Sequence, residues 1–241
     1  ASTAGVSEYL PSVAGILIQK EIEVMGGALE NPKRPLVAVL GGSKVSDKIG
    51  VMRRLLDIAD TILIGGGMSY TFQAARGGTI GKSLFEKNRL EFAREMIASA
   101  KEKGVKLLLP VDELAASEFS ADSKPILVDS MAIPPHLMGL DIGPKTIALV
   151  TDALKDAGTV IWNGPMGVFE CPAYSQGTRA IAKAMAERPQ AITSIGGGDS
   201  ASAVEQMGYA DCMTHISTGG GASLELLEGL TLPGIDCLMD K

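Results

Sequence analysis

One unit recurs four times along this chain: a short apolar, β-branched run stops in glycines and restarts as a helical pattern. Residues 36–40 run into Gly41-Gly42-Ser43-Lys44, and residues 61–64 into Gly65-Gly66-Gly67. Residues 191–195 run into Gly196-Gly197-Gly198, and residues 215–218 into Gly219-Gly220-Gly221. Runs this short, bounded by turn residues, read as buried strands. Strands that alternate with helices build a mostly parallel sheet covered on both faces. The 29 glycines among 241 residues are about 12% of the chain, against a usual share of about 7%. Their concentration at these turns marks them as structural rather than as a sign of disorder.

The reading is therefore a doubly wound, Rossmann-like α/β fold with six strands, at 36–40, 61–64, 105–109, 159–162, 191–195 and 212–216. No linker composition interrupts it, so residues 1–241 are read as one domain. Hydrophobic residues make up 46% and aromatic residues only 4%, so the core must be aliphatic. Helical periodicity covers 12–29, where Val13, Leu17, Ile18 and Ile22 form an apolar stripe, and 47–59. Further helices are read at 68–75, 85–103, 144–156, 175–187, 200–207 and 222–228. Residues 110–140, with Pro125, Pro134 and Pro135, read as irregular, with a short run at 126–128 suited to antiparallel pairing. The tail at 232–238 has no evident partner.

Composition also excludes some functions. The net charge is −6 with no basic run, which argues against nucleic-acid or membrane-surface partners. No apolar run is long enough to span a bilayer. Cys171, Cys212 and Cys237 are odd in number and form no CxxC pair, which suits a reducing, cytoplasmic setting. His136 and His215 form no metal cluster and read as structural.

Two nucleotide motifs fail on context. GGTIGKS at 77–83 resembles a P-loop, but Arg76 stands where its first glycine belongs and no strand precedes it. Gly196-x-Gly198-x-x-Ala201 matches the loose dinucleotide fingerprint, yet it lies near the chain end and lacks an acid about twenty residues on.

What remains suits a nucleoside phosphate. Glycine turns let backbone approach an anion, and free N–H groups at helix starts point at it. Asp199 either caps its helix or holds a Mg²⁺ beside phosphate oxygens, with Ser200 offering a hydroxyl. Lys44 and Lys48 share one face near a helix N-terminus if the helix starts at Ser43, where a phosphate chain would offset the cost of cations. The N–H groups of Gly196–Gly198 and Gly219–Gly221 can stabilise charge on a transferring phosphoryl group. In the loop WNGPMGVFE at 162–170, Asn163 both donates and accepts, and Glu170 can accept from ribose; the same loop also reads as plain packing around Trp162.

Six segments, in order, resemble phosphoglycerate kinases: GGSKVSDKI at 41–49, IGGGM at 64–68, GLDIGP at 139–144, the loop at 162–170, IGGGDS at 195–200 and HISTGGGASLELLEG at 215–229. The resemblance spans the whole chain. It implies reversible phosphoryl transfer between 1,3-bisphosphoglycerate and ADP, with Mg²⁺, giving 3-phosphoglycerate and ATP in glycolysis. By position it implies that Lys48 follows the transferring group, that Lys44 holds nucleotide phosphates, and that Gly197 and Gly220 (with Gly219) shield the transition state. Asp199 would bind the metal, and Gly196, Gly197, Gly198 and Ser200 the phosphates, with Asn163 nearby. Gly42, Ser43, Gly66, Gly67, Leu84, Gly139, Leu140, Pro165, Gly167 and Val168 would surround the nucleotide, and Glu170 the ribose. Ser43 replaces a commoner alanine, and Leu230 a usual lysine. The resemblance matches the C-terminal, nucleotide-binding domain, with the interdomain helix inside 1–30, of a cytoplasmic monomer. The resemblance further implies that an N-terminal domain, which would bind 3-phosphoglycerate, is absent from this chain. The alternative is a nucleotide-binding module without activity of its own.

Overall fold

The computed structural model describes residues 2–120 and 122–239. After a 3₁₀ turn at Ala4–Glu8 come α1 (Ile16–Glu21), a π-type turn at Ile22–Gly26 and α2 (Gly27–Glu30). Then come β1 (Leu36–Leu40), α3 (Ile49–Ile58), β2 (Thr61–Ile64), α4 (Ser69–Ala75), β3 (Thr79–Ile80), α5 (Leu90–Glu102) and β4 (Lys106–Leu108). The middle holds β5 (Asp112–Ala116), β6 (Ile126–Asp129), β7 (Ala132–Ile133), β8 (Met138–Ile142) and α6 (Pro144–Leu154). The last third holds β9 (Thr159–Asn163), α7 (Gln176–Ala186), β10 (Ile192–Gly196), α8 (Gly198–Gln206), β11 (His215–Ile216), α9 (Gly221–Glu228) and α10 (Pro233–Asp236).

Six strands form the main sheet in the order β11-β10-β9-β1-β2-β4, and every pairing is parallel. Strand β1 shows why. All five of its residues are buried, as a strand covered on both faces requires. Leu36, Ala38 and Leu40 enter one core with Met52 and Leu55 of α3 and Phe92 and Met96 of α5. Val37 and Val39 enter the other with Leu154 of α6, Ile181 and Met185 of α7 and Val204 of α8. The chain winds from β1 to one edge, then returns to β9 and builds the other edge. The loops after β1 and β9 therefore part at a switch point, where open α/β sheets bind ligands.

Several expectations need correction. The sixth strand shrinks to His215–Ile216 because Ala210–Cys212 is a 3₁₀ turn. The run at 126–128 is indeed an antiparallel strand, β6, but the rest of 110–140 is more regular than expected. Residues 110–142 form a three-stranded antiparallel sheet, β6-β5-β8, and pair β7 with β3. Acidic residues at the start of β5 hid it. Asp112 is buried there because it caps α6 from outside, accepting the amides of Lys145 at 2.9 Å and Thr146 at 2.8 Å.

The stripe at 12–29 is also different. Helix begins only at Ile16, and Val13, Ile16 and Leu17 are 75%, 87% and 55% exposed. What anchors the segment is polar. Glu21 meets His215 Nε2 at 2.8 Å and accepts the Thr218 amide at 2.8 Å. The tail has a partner within the chain: the Met239 amide donates to the Ser12 carbonyl at 2.9 Å. Asp240 and Lys241 lie outside the described residues.

Candidate active site

Three glycine turns interlock by backbone alone at the C-terminal edge of the sheet. The Gly41 and Gly42 amides donate to Asn163 and Pro165 carbonyls at 2.9 Å each, and Gly66 donates to Met166 at 3.1 Å. Gly66 adopts φ 63°, and a Cβ there would stand 2.7 Å from the Gly42 nitrogen and from the Pro165 carbonyl oxygen. Only glycine fits both demands. Side chains fix the loop after β9 from beneath. Ser200 Oγ accepts the Gly164 amide at 2.7 Å, and Thr178 Oγ1 accepts the Met166 amide at 3.0 Å.

These turns floor a cleft of about 450 Å³. It brings together twelve residues singled out from the sequence: Gly42, Ser43, Gly66, Gly67, Leu84, Gly139, Leu140, Pro165, Gly167, Val168, Glu170 and Asp199. Tyr70, Lys82, Phe119, Met138, Met166 and Phe169 also line it. Sequence reasoning missed these six. Lys82 lay in the rejected P-loop match, two residues before Leu84, and that nearness was the available signal. Phe119 and Met138 lay in the stretch read as irregular.

The cleft has two unlike ends. Beyond β2 lie Lys82, Leu84 and Phe119, with Leu84 and Phe119 both exposed at the mouth. Toward β10 lies Asp199, in the first turn of α8. There Gly197 (φ 91°) starts α8 and Gly220 (φ 50°) starts α9. A Cβ on Gly198, Gly220 or Gly221 would meet nothing within 4 Å, so this face is open.

Asn163 ends β9 at 2% exposure, and its Nδ2 has no hydrogen-bond partner. That nitrogen stands 3.2 Å from where a Cβ on Gly196 would project, beside the start of α8. Lys48 is buried, with its Nζ 3.6 Å from the Cβ position of Gly42. Burial lowers its pKa, while Asp47 and Asp199 work in the opposite direction. Lys44 does not join it on a helical face. The turn begins at Ser46 rather than Ser43, and Lys44 stays exposed in the preceding bend. Ser200 lies fully buried beneath the loop it holds. Lys44, Lys48, Asn163, Gly196–Gly198, Ser200 and Gly220 therefore do not line the cleft itself.

Under the apolar end sits a buried acid cluster. Tyr70 Oη donates to Glu113 Oε2 at 3.3 Å. Burial and the Asp141 charge push the Glu113 pKa well up, and burial with both carboxylates does the same to Tyr70. Asp141 accepts the Gly177 and Ile142 amides at 2.9 Å each, yet burial still raises its pKa to about 7.

The donor set suits a magnesium–nucleotide. Among the described residues, no three His, Cys, Asp or Glu side chains group as a metal cage. Asp199 offers one carboxylate at a helix N-terminus, and Mg²⁺ is usually held by one or two carboxylates plus substrate phosphates and water.

A family model described as phosphoglycerate kinase matches residues 1–230. Proteins named phosphoglycerate kinase from Clostridium tetani and Clostridium perfringens are 59% and 60% identical over 241 residues. That is 100% of this chain and 60% of each relative. The solved structure of phosphoglycerate kinase from Coxiella burnetii matches with TM-score 0.94 and 46% identity over 99% of this chain and 62% of that one. The crystal structure from Pyrococcus horikoshii matches with TM-score 0.84 and 31% identity over 98% of this chain and 60% of that one.

Proposed function

The chain belongs to the phosphoglycerate kinase family, and we propose that it supplies the Mg–ADP/ATP site for phosphoryl transfer between 1,3-bisphosphoglycerate and ADP. The observation that carries this reading is the unpartnered Nδ2 of buried Asn163 beside the Gly196–Gly197 turn. A buried donor without an acceptor is costly, and an anionic oxygen at the open start of α8 would satisfy it. The nucleotide then lies with its base between Leu84 and Phe119, its ribose at Glu170 and its phosphates toward Asp199.

Each polar group has a role in that arrangement. Lys48 neutralises the transferring phosphoryl group from within a low-dielectric pocket, where its charge counts most. Lys44 reaches the nucleotide phosphates from the exposed bend. The N–H groups at Gly196–Gly198, Gly219 and Gly220 stabilise charge that grows in the transition state. Asp199 would hold the Mg²⁺, which would supply positive charge against that of the phosphates. Ser200 supports the phosphate loop through Gly164. No nucleophilic side chain is required, because this chemistry is positioning and electrostatics.

The chain spans about 60% of the length of the curated relatives it matches. We place the 3-phosphoglycerate site in the part of those relatives it does not span, as an N-terminal domain. Exposed Val13, Ile16 and Leu17 suit such a neighbour. The same coverage favours a second reading: taken alone, the chain binds Mg-nucleotide and transfers nothing, since transfer needs both substrates positioned and water excluded. Three free thiols suit a cytoplasmic setting, and the resemblance favours a monomer.

Calorimetric titration with Mg-ADP tests the assignment. Wild type should bind, and Asn163→Leu should bind about tenfold or more weakly through the lost donor to a charged acceptor. Asp199→Asn should lose the magnesium dependence. A wild-type protein that binds neither Mg-ADP nor Mg-ATP sinks the reading. Turnover of ATP with 3-phosphoglycerate, in the chain alone and at natural length, separates the two alternatives.

A further inference from the structure

The turn that carries Lys48 lacks a local cap. It runs over Ser46–Lys48, and its N-cap residue, Val45, is a buried aliphatic side chain with nothing to offer the first free amide. Such amides need a partner. The partner comes from forty residues further along the chain, where Glu86 Oε2 accepts the Ser46 amide at 2.9 Å. Glu86 is itself fixed, its own amide donating to Thr71 Oγ1 of α4 at 3.1 Å. Partial burial works to raise the Glu86 pKa, but the Ser46 amide and hydroxyl, the Val45 amide and Arg89 outweigh it, and the net direction is down. The carboxylate is thus ionised and charge-assisted as an acceptor.

Two residues before Glu86, Leu84 lines the apolar end of the cleft. Two residues after Ser46, Lys48 brings its ammonium to Gly42. We propose that Glu86 is a positioning residue: it caps the Ser46–Lys48 turn from across the fold and so aims Lys48 at the phosphate end of the nucleotide. This rests on the nucleotide reading above. It predicts that losing the cap harms phosphate recognition and transfer while leaving the nucleoside end intact.

The test measures affinity for Mg-ADP and for adenosine in the protein at its natural length, with kcat alongside, for wild type, Glu86→Ala, Glu86→Gln and Glu86→Asp. For Glu86→Ala, Mg-ADP affinity should fall about tenfold, the scale of a lost cap, and kcat should fall too. Adenosine affinity should stay within about twofold of wild type. Glu86→Gln, which keeps an acceptor without charge, should lie between, and Glu86→Asp should recover part of the loss. Thermal unfolding confirms that each variant is folded, and Glu86→Gln carries the test if Glu86→Ala is not. Equal losses for adenosine and Mg-ADP would overturn the proposal by making Glu86 a plain loop anchor. Unchanged Mg-ADP affinity and kcat would overturn it as well. Wild-type protein that binds no Mg-ADP would instead defeat the nucleotide assignment on which it rests.

Discussion

The hydroxyl of Tyr70 occupies the space that a side chain at Gly139 would need. Tyr70 of α4 and Gly139 of β8 thereby meet closely in the wall of the cleft. Gly139→Ala forces the two apart and should cost about 1–3 kcal/mol, as overpacking does. Adenosine affinity should fall with it. Tyr70→Phe added to Gly139→Ala should recover only a small part of the stability, because it removes the nearest atom but leaves ring carbons at 2.5 and 2.7 Å. Tyr70→Leu should recover more, and a double-mutant cycle by urea unfolding reads the coupling.

Asp141 gives the fold a pH slope. Its carboxyl holds its proton to about pH 7 when folded, against an ordinary value of 3.8. Burial favours the protonated form, so this group's contribution to stability is fullest below pH 4 and is lost as pH rises toward 7. Three pK units correspond to about 4 kcal/mol. Asp141→Asn mimics the protonated form. Its stability relative to wild type should therefore increase from pH 5 to pH 8 and level off above, as thermal melts across that range would show. A constant difference across the range would refute the assignment.

Glu21 behaves in the opposite sense. Burial works to raise its pKa, but hydrogen bonds from His215, Thr218 and Ser217 lower it on balance. Its contribution is present above the ordinary carboxyl range and is lost as pH falls through its folded value. Glu21→Ala should cost about 1.5–3 kcal/mol at neutral pH, the scale of hydrogen bonds to a charged group. The gap to wild type in urea unfolding should close in acid.

Lys48 is held at a stability cost. Its ammonium is buried, and that burial depresses its pKa. Lys48→Met should therefore unfold a few degrees higher without nucleotide, since about 1 kcal/mol moves a domain of this size by roughly 2–4 °C. The same variant should lose phosphoryl transfer by a hundredfold or more, the scale of a lost electrostatic stabiliser. A variant that melts lower would refute the strain, and one that keeps full turnover would refute the role.

Much of this fold was legible because its strands announce themselves. Runs such as Leu36–Leu40 are apolar on both faces and end in glycine, so their limits fall within a residue or two of those observed. The glycine turns and Asp199 were legible for the same reason. What escaped depended on distant partners. Strand β5 begins with two acids whose burial makes sense only once Thr146 and Tyr70 are brought near. The stripe at 12–29 signals that apolar residues want cover, but periodicity cannot say whether this chain provides it. Lys44 and Lys48 have helical spacing, yet the turn starts at Ser46 because Glu86 caps it there, forty residues away in sequence.

The floor of the cleft is built on glycine turns, and at Gly66 no other residue would fit. Backbone groups look alike in every protein built on the same turns. A compound designed against them would not distinguish this protein from another built on the same turns. Selectivity has to come from the side chains at the rim, where Lys82 and Phe119 flank the mouth. An anionic group reaching Lys82, joined to a flat ring lying on Phe119, is the chemical starting point that this geometry recommends.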